Sequence, residues 1–308
     1  MVLKISVSYK NTIKKSIFVV RINQLTKYSM KRILLLAMAL VMALPQISVA
    51  QKESDLKVMS YNVRLGVGKD GTNSWQYRCP ATIEMLQEQK PDVFGVQEAM
   101  DFQIKFITQF AYNYKCVGVG REDGKSEGEH MSIFWNKKTV KMLKWGTYWL
   151  SETPEKPSKG WDAACRRTAT WALMKDKKSG KKFYFVNTHL DHRGKVARAE
   201  GLKLIVERIA AMNPEGYPMV LTGDFNMTPD DPAFTDLDKM MTSTKKIAKK
   251  TDNTGTFNGW GKAKPNYEID YIYVSGFGGV KEYKVVNKRY ADAPFISDHY
   301  PIMSVITF

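Results

Sequence analysis

The sequence predicts an α+β fold, a sandwich of sheets and helices rather than a strict alternation of strand and helix. Three observations predict it. Short apolar runs rich in β-branched and aromatic residues outnumber the stretches of helical period. The helical stretches interrupt series of strands instead of alternating with them. Clusters of Gly, Pro, Asn and Asp bound nearly every run.

The elements run in chain order. "LKVMSYNV" (Leu56–Val63) is the first strand. "ATIEMLQEQ" (Ala81–Gln89) has helical period and stops before Lys90-Pro91, where proline forbids continuation. "DVFGVQE" (Asp92–Glu98) is a strand, and "DFQIKFITQF" (Asp101–Phe110) a helix with Phe102, Phe106 and Phe110 on one face. "HMSIFWN" (His130–Asn136), "TATWALMKD" (Thr168–Asp176) and "FYFVNTHL" (Phe183–Leu190) are strands. The last two are joined by a polar turn, "KDKKSGKK", with Gly180 near its tip. "KVARAEGLKLIVERIAAM" (Lys195–Met212) is an amphipathic helix carrying Leu202, Ile205, Val206 and Ile209 on its apolar face. "PMVLTGDFN" (Pro218–Asn226), "IDYIYVS" (Ile269–Ser275) and "YPIMSVITF" (Tyr300–Phe308) complete the strands.

The chain has 308 residues, but its first part reads as something other than fold. Residues 30–50, "MKRILLLAMALVMALPQISVA", carry a positive start, an apolar stretch and a small-residue end, the pattern of an export signal. Residues 1–29 are then an overlong upstream extension, and residues 51–308 a single domain in the periplasm or outside the cell, without membrane insertion after cleavage. A retained signal anchor is the alternative. Eight of the basic residues and no acid lie in residues 1–50, so the formal charge falls from +16 to +8 on their removal. A moderate positive field suits anionic substrates and also simple solubility. Cys79, Cys116 and Cys165 are too few and too irregularly spaced for a disulfide framework or a zinc site. Their pairing stays open at this point.

Chemistry-bearing residues gather where apolar runs end. Asn62 and Glu98 close the first two strands. "NTHLDH" supplies His189, Asp191 and His192, "GDFN" supplies Asp224 and Asn226, "IDY" supplies Asp270, and "SDHYP" supplies Asp298 and His299. One acid at a strand end is a turn former. So many at successive strand ends call for a shared cation or a cleft, because a buried carboxylate without a partner is costly. Oxygen donors without cysteine suit a hard cation such as Mg²⁺ or Mn²⁺. A histidine beside an aspartate is a base held in one tautomer, and a second histidine is a donor. Together they describe hydrolysis of a phosphate ester.

The ordered series "SYNV", "GVQE", "GEHMSIFWN", "NTHLDH", "LTGDFN", "IDYIYVS" and "SDHYP" resembles the endonuclease/exonuclease/phosphatase superfamily, which includes pancreatic deoxyribonuclease, and in particular its secreted bacterial members. The resemblance spans Leu56 to Phe308. It implies a four-layer α/β/β/α sandwich of two packed mixed sheets, with the site at one edge. It implies that Glu98 is the main Mg²⁺ ligand, with Asn62 and Asp298 beside it. His299 would be the catalytic histidine, oriented by Asp270. Asp224 would position or deprotonate the attacking water, and Asn226 would hold the phosphate. His189 would be the second histidine, with Glu129 orienting it and Asp191 and His192 supporting. Arg167 and Arg193 are candidates to bind the phosphate, and Arg193 and Arg198 lie close to a helix start, which attracts anions.

The resemblance fixes the bond better than the substrate. A phosphodiesterase or nuclease-like enzyme is the leading expectation, acting on a phosphate ester, with a nucleic acid or nucleotide among the candidates. A phosphomonoesterase on a sugar or nucleotide phosphate, a sphingomyelinase-like phospholipase and a catalytically silent binding module are the alternatives. Lys245, Lys246, Lys249 and Lys250 either follow a nucleic-acid backbone or form a solvated face. Trp75, Trp161 and Trp260 either stack on a base or pack in the core. No protein partner is indicated.

Overall fold

The computed structural model describes residues 54–308, together with residues 24, 26, 27, 29, 30 and 32, which are helical. The export signal expected over residues 30–50 falls, apart from residues 30 and 32, outside the described residues. Among the described residues no helix is long and apolar enough to cross a membrane.

Within residues 54–308, twelve strands form two mixed sheets of six. The first sheet has the order β11–β12–β1–β2–β4–β3, built from β1 (Asp55–Asn62), β2 (Val93–Gln97), β3 (Tyr114–Val117), β4 (Ile133–Asn136), β11 (Gly279–Val285) and β12 (Ile302–Thr307). The second has the order β5–β6–β7–β8–β10–β9, built from β5 (Val140–Trp149), β6 (Thr168–Asp176), β7 (Lys182–His189), β8 (Met219–Asp224), β9 (Thr242–Ser243) and β10 (Asp270–Ser275). One parallel pair lies at the centre of each sheet, β1 with β2 and β7 with β8, and the remaining pairs are antiparallel. Helices α1 (Trp75–Gln89) and α2 (Asp101–Phe110) cover the outside of the first sheet. Helix α3 (Lys195–Met212), with the short α4 (Thr235–Met240), covers the outside of the second, and α5 (Thr244–Ile247) follows β9.

Three apolar cores separate these layers. Strand alternation sends Met59 and Tyr61 outward against Ala81, Met85 and Leu86 of α1. It sends Tyr184, Val186 and Leu221 outward against Leu202, Ile205 and Ile209 of α3. Leu56, Val58 and Val93 face Phe183, Phe185, Val220 and Ile272 between the sheets. The four-layer α/β/β/α sandwich expected from the resemblance is the observed architecture.

Helix α1 begins six residues earlier than its apolar pattern suggests and contains Pro80. Proline at that depth removes a donor for the Gln76 carbonyl, which instead receives the Cys79 thiol at 3.6 Å. The three cysteines are all free.

The face between the sheets changes character along each strand. In β1 the inward residues run Leu56, Val58, Ser60, Asn62, and in β7 they run Phe183, Phe185, Asn187, His189. Midway lies a buried polar belt that binds one sheet to the other. Gln97 Nε2 donates to Ser60 Oγ at 3.2 Å and to Asn187 Oδ1 at 2.7 Å. Asn187 Nδ2 donates to the carbonyls of Val96 and Ser132, and Thr222 Oγ1 donates to Asn187 Oδ1. Gly95 makes room for this contact, since a Cβ there would lie 2.3 Å from Asn187 Oδ1. Above the belt the inward positions become Asn62, His189, Asp224 and Asp270.

Candidate active site

These strand ends form the floor of a cleft of about 540 Å³. The register brings its groups together: His189 of β7 pairs with Asp224 of β8, and Asp224 with Asp270 of β10. Asn62 and Glu98 arrive from the first sheet, and Asp298 and His299 from the segment leading into β12. Asn62, His189, Asp224, Asp270, Asp298 and His299 are all buried. Three neighbouring residues, Arg64, Glu98 and Asn226, have left-handed backbone (φ 60°, 61° and 52°). Side chains with a Cβ are strained there, and asparagine least. The strain aims Glu98 and Asn226 into the cleft at abrupt strand ends.

Asn62 is the hub. Its Oδ1 accepts from the Arg64 N–H at 2.9 Å, which fixes the amide's orientation. Its Nδ2 then donates to Glu98 Oε1 and Asp224 Oδ2, both at 3.0 Å. Glu98 Oε2 accepts from the Leu65 N–H at 2.9 Å. Burial opposes ionisation of Glu98, but His299, Asn62, the Leu65 N–H and Arg64 outweigh it and hold its pKa below the usual glutamate value.

His299 Nδ1 donates to Asp270 Oδ2 at 2.9 Å, and its Nε2 lies 3.7 Å from Asp224 Oδ2. Burial disfavours the imidazolium, yet Asp270, Asp224 and Asp298 outweigh that and push its pKa up to about 10. Asp224 moves the opposite way for a carboxylate. Burial, then the Asp270 carboxylate, drive its pKa up, with Glu98 adding and His299 opposing.

His189 is neutral, because burial and then the Arg167 and Arg121 charges hold its pKa well below the usual histidine range. Asn226 Nδ2 donates to the Leu190 carbonyl and to His189 Nε2, each at 3.0 Å. The carbonyl dictates the amide's orientation, so His189 Nε2 is an acceptor and the ring proton sits on Nδ1. That buried Nδ1 has no partner. Glu129, expected to orient His189, lies 4.0 Å from it and is bonded instead to Arg121 at 2.7 Å. The fixed guanidinium wins the carboxylate because a neutral imidazole N–H is the weaker partner.

The cleft wall is cationic. Arg167, 5% exposed, donates Nε to Asp191 at 3.3 Å and Nη2 to His192 Nδ1 at 3.0 Å. His192 therefore presents its Nε2–H outward. Arg167 Nη1 is buried and unpartnered. Asp191 is a structural anchor: it accepts from the N–H groups of Arg193, Gly194 and Ala164 as well as from Arg167. Its proximity to Cys165 and His192 resembles a ligand cluster, but its oxygens are already engaged. Arg193 contributes its N–H to Asp191, and its exposed side chain does not line the cleft; Arg198 donates to the Asp191 carbonyl.

Arg64, Arg121, Cys165, Phe257 and Tyr267 also line the cleft and were not among the sequence-based candidates. Arg64 sits two residues after Asn62, a proximity that could have marked it; the others stand in loops with no local signal. The three tryptophans are packing residues: Trp75 meets Phe106 edge-on, Trp161 packs against the α3 core, and Trp260 meets Phe295 edge-on. Lys245, Lys246 and Lys250 are paired with Glu268, Asp238 and Glu282.

The residues present fit a hard divalent cation. Glu98 Oε2 and Asp298 Oδ2 each approach Arg64 Nη1, at 3.9 and 3.7 Å. Burial, with Glu98 adding and His299 opposing, pushes Asp298 above the usual carboxylate range. The oxygen-rich donor set and its crowded negative charge suit a hard divalent cation.

Comparison with known proteins gives the same picture. The profile of the Endonuclease/Exonuclease/phosphatase family matches residues 59–299. A mannosyl-6-phosphatase from Bacteroides thetaiotaomicron is 34% identical, with a TM-score of 0.79, over 82% of this chain and 100% of that one. An endonuclease/exonuclease/phosphatase family protein from Bacteroides thetaiotaomicron is 33% identical, with a TM-score of 0.77, over 83% of this chain and 99% of that one. An uncharacterized protein of Acanthamoeba polyphaga mimivirus is 24% identical over 272 residues, which is 81% of this chain and 99% of that protein.

Proposed function

The chain belongs to the endonuclease/exonuclease/phosphatase family and is a phosphoric ester hydrolase; from that premise we propose that it is a Mg²⁺- or Mn²⁺-dependent phosphatase that removes a terminal phosphate from a small polyol or sugar. One observation carries the preference for a monoester. Two buried donors in the cleft, His189 Nδ1 and Arg167 Nη1, have no partner. Leaving a buried donor unsatisfied costs about 1–3 kcal/mol, and a phosphate oxygen relieves each. With the His192 Nε2–H and the cation they supply donors for the three terminal oxygens of a monoester, one more than a diester offers. The pairing of Lys245, Lys246 and Lys250 and the burial of Trp75 weigh against a nucleic-acid track. The mannosyl-6-phosphatase relative supports the same substrate class.

Glu98 and Asp298 would hold the cation, and Asn62, whose Nδ2 donates to Glu98, would orient that ligand. Bound there, it offsets the negative charge on the phosphoryl oxygens as the ester is attacked. The chain's own groups do the rest. Asp224 Oδ2 takes the proton of the attacking water, and burial raises its basicity for that task. The His299 imidazolium, fixed by Asp270, donates through Nε2 to a phosphoryl oxygen. His189 Nδ1–H keeps its proton and hydrogen-bonds a second terminal oxygen, and the leaving alkoxide takes its proton from solvent water as the ester bond breaks. Arg167 and His192 hold the remaining oxygen.

The test is a substrate panel with Mg²⁺: sugar 6-phosphates and p-nitrophenyl phosphate against bis(p-nitrophenyl) phosphate and single-stranded DNA. Monoesters should turn over fastest. Arg167→Ala should lower kcat/KM for monoesters by roughly 10–100-fold, as loss of a charge-assisted hydrogen bond implies, and that for diesters less. Faster diester turnover with equal Arg167→Ala losses would establish the diesterase instead. Export belongs to the proposal too. N-terminal sequencing of protein recovered outside the cytoplasm should begin near residue 51, and retention of residues 30–50 would overturn it.

A further inference from the structure

Among the described residues Arg78 of α1 is the largest fully buried side chain, 1% exposed, and it lies outside the cleft. Its hydrogen bonds all go to backbone carbonyls: Asn73 at 2.5 Å, Val63 at 3.0 Å and Ile296 at 2.5 Å. Its guanidinium lies 5.5 Å from the Trp75 ring and 5.3 Å from the Trp260 ring. Among the described residues no carboxylate lies within ion-pair distance of it. A buried cation held by carbonyls and aromatic faces alone is an unfavourable way to fill a helix–sheet interface. Leucine or methionine would pack there without that penalty.

The acceptors show what the buried charge secures. Val63 follows Asn62. Ile296 precedes Asp298 by two residues. Asn73 ends the loop that begins at Arg64 and includes Asp70, the bidentate partner of Arg64. Trp260 belongs to a fourth segment, whose Asn258 and Gly259 N–H groups both donate to the Asp298 carbonyl at 2.8 and 3.0 Å. Asn258 Nδ2 also donates to the Ser297 carbonyl. Arg78 Nη1 alone donates to both the Val63 and Ile296 carbonyls, and Nε to that of Asn73, so one guanidinium ties the segment carrying Asn62 and Arg64 to the loop that holds Asp70 and to the segment carrying Asp298. A lysine nitrogen ends one atom nearer the backbone than Nη1 and leaves the Asn73 carbonyl without the Nε donor, so it cannot hold all three carbonyls at once.

We propose that Arg78 is a positioning residue that fixes the spacing of Asn62 and Asp298, and so sets cation affinity at the site from behind it. The proposal rests on the reading of Glu98 and Asp298 as the cation's holders, with Asn62 orienting Glu98. It assigns Arg78 no contact with substrate. Partners that orient a metal's ligands typically change affinity by about 10–100-fold when removed.

The experiment measures Mn²⁺ binding alone, by isothermal titration calorimetry, in the wild type and in Arg78→Lys, Arg78→Met, Glu98→Gln and Asp298→Asn. Circular dichroism and thermal melts confirm folding. Arg78→Lys keeps the charge and should stay folded while Mn²⁺ affinity falls by about 10–100-fold. The kcat at subsaturating Mn²⁺ should fall with it, KM for substrate should change little, and excess Mn²⁺ should recover most of the rate. Should Arg78→Met fail to fold, Arg78→Lys alone decides. A folded Arg78→Lys protein with wild-type Mn²⁺ affinity overturns the proposal, even with a lowered melting temperature, because Arg78 is then packing only. If Glu98→Gln and Asp298→Asn bind Mn²⁺ as the wild type does, the cation reading itself has failed, a result distinct from failure at Arg78.

Discussion

Gly95→Ala tests the polar belt on which the floor stands. The added Cβ would lie 2.3 Å from Asn187 Oδ1, 2.4 Å from Asn187 Cγ and 2.7 Å from Thr222 Oγ1. Those are not distances that packed atoms tolerate, so either the sheets part or Asn187 swings out. Asn187 makes four hydrogen bonds, to Gln97, Thr222, Val96 and Ser132. At about 1 kcal/mol net each, their loss costs about 4 kcal/mol. Overpacking costs about 1–3 kcal/mol more, though the two overlap because one relieves the other. Taking about 4–5 kcal/mol together, a domain of this size should lose roughly 10–15 °C in Tm. The assay is a calorimetric melt in chelator, so that cation binding does not shift the transition. Gly279→Ala is the control: it is also in a strand, and nothing lies within 4 Å of a Cβ there. A Gly95→Ala protein melting within about 2 °C of the wild type would refute the idea that inter-sheet contact is set by this belt.

Other outcomes rest on the same geometry. Glu129→Gln should lower kcat by less than about 10-fold, since Glu129 is bonded to Arg121 and not to His189; a loss near that of His189→Ala would restore it as the orienting group. Asp191 carries a pH signature. Burial raises its pKa, but the Gly194, Arg193 and Ala164 N–H groups and Arg167 overcome this and hold it well below the usual aspartate value. Its contribution to stability is therefore present above the unfolded pKa of about 3.9 and is lost as pH falls through the lower folded value. Urea melts should show the wild type losing stability more steeply than Asp191→Asn below about pH 5, and parallel slopes would contradict it. Chelation should abolish turnover of p-nitrophenyl phosphate, with Mg²⁺ or Mn²⁺ restoring it; full activity in chelator would remove the cation from the reading.

What was legible in the sequence divides along a physical line. The eight strands expected are β1, β2, β4, β6, β7, β8, β10 and β12, which are the interior strands of the two sheets. The four not anticipated, β3, β5, β9 and β11, are the four edges. Interior strands are flanked on both sides and covered on both faces, so their residues are nearly continuously apolar. Edge strands must discourage further pairing, and they do so with lysine: "VKMLKWGTYW" and "GVKEYKV" read as surface, and a bulge interrupts the register of each. The site follows the same division. Glu98, His189, Asp224 and Asp270 lie at the ends of interior strands, and their type alone betrays them. Arg121 and Tyr267 reach the cleft through loops shaped by contacts such as Arg121 with Glu129 and the Thr256 N–H with the Tyr267 carbonyl, which no local pattern encodes. Arg78 was hidden differently: it stands ahead of the helix expected from Ala81, where a lone arginine reads as surface.

The separation of a strand-borne floor from a loop-borne wall has a consequence for how such a catalyst diversifies. The groups that act on the phosphate are locked to one another through the sheets, and a change in any of them disturbs the rest. Groups that line the cleft away from the phosphate hang from segments around residues 121–127 and 262–268, outside the named strands. Insertions and substitutions there can redraw the mouth of the cleft without moving an atom of the hydrolytic machinery. A library confined to those segments should therefore yield altered leaving-group preference at unchanged turnover chemistry, making this scaffold a natural starting point for engineering phosphoester hydrolases toward chosen alcohols.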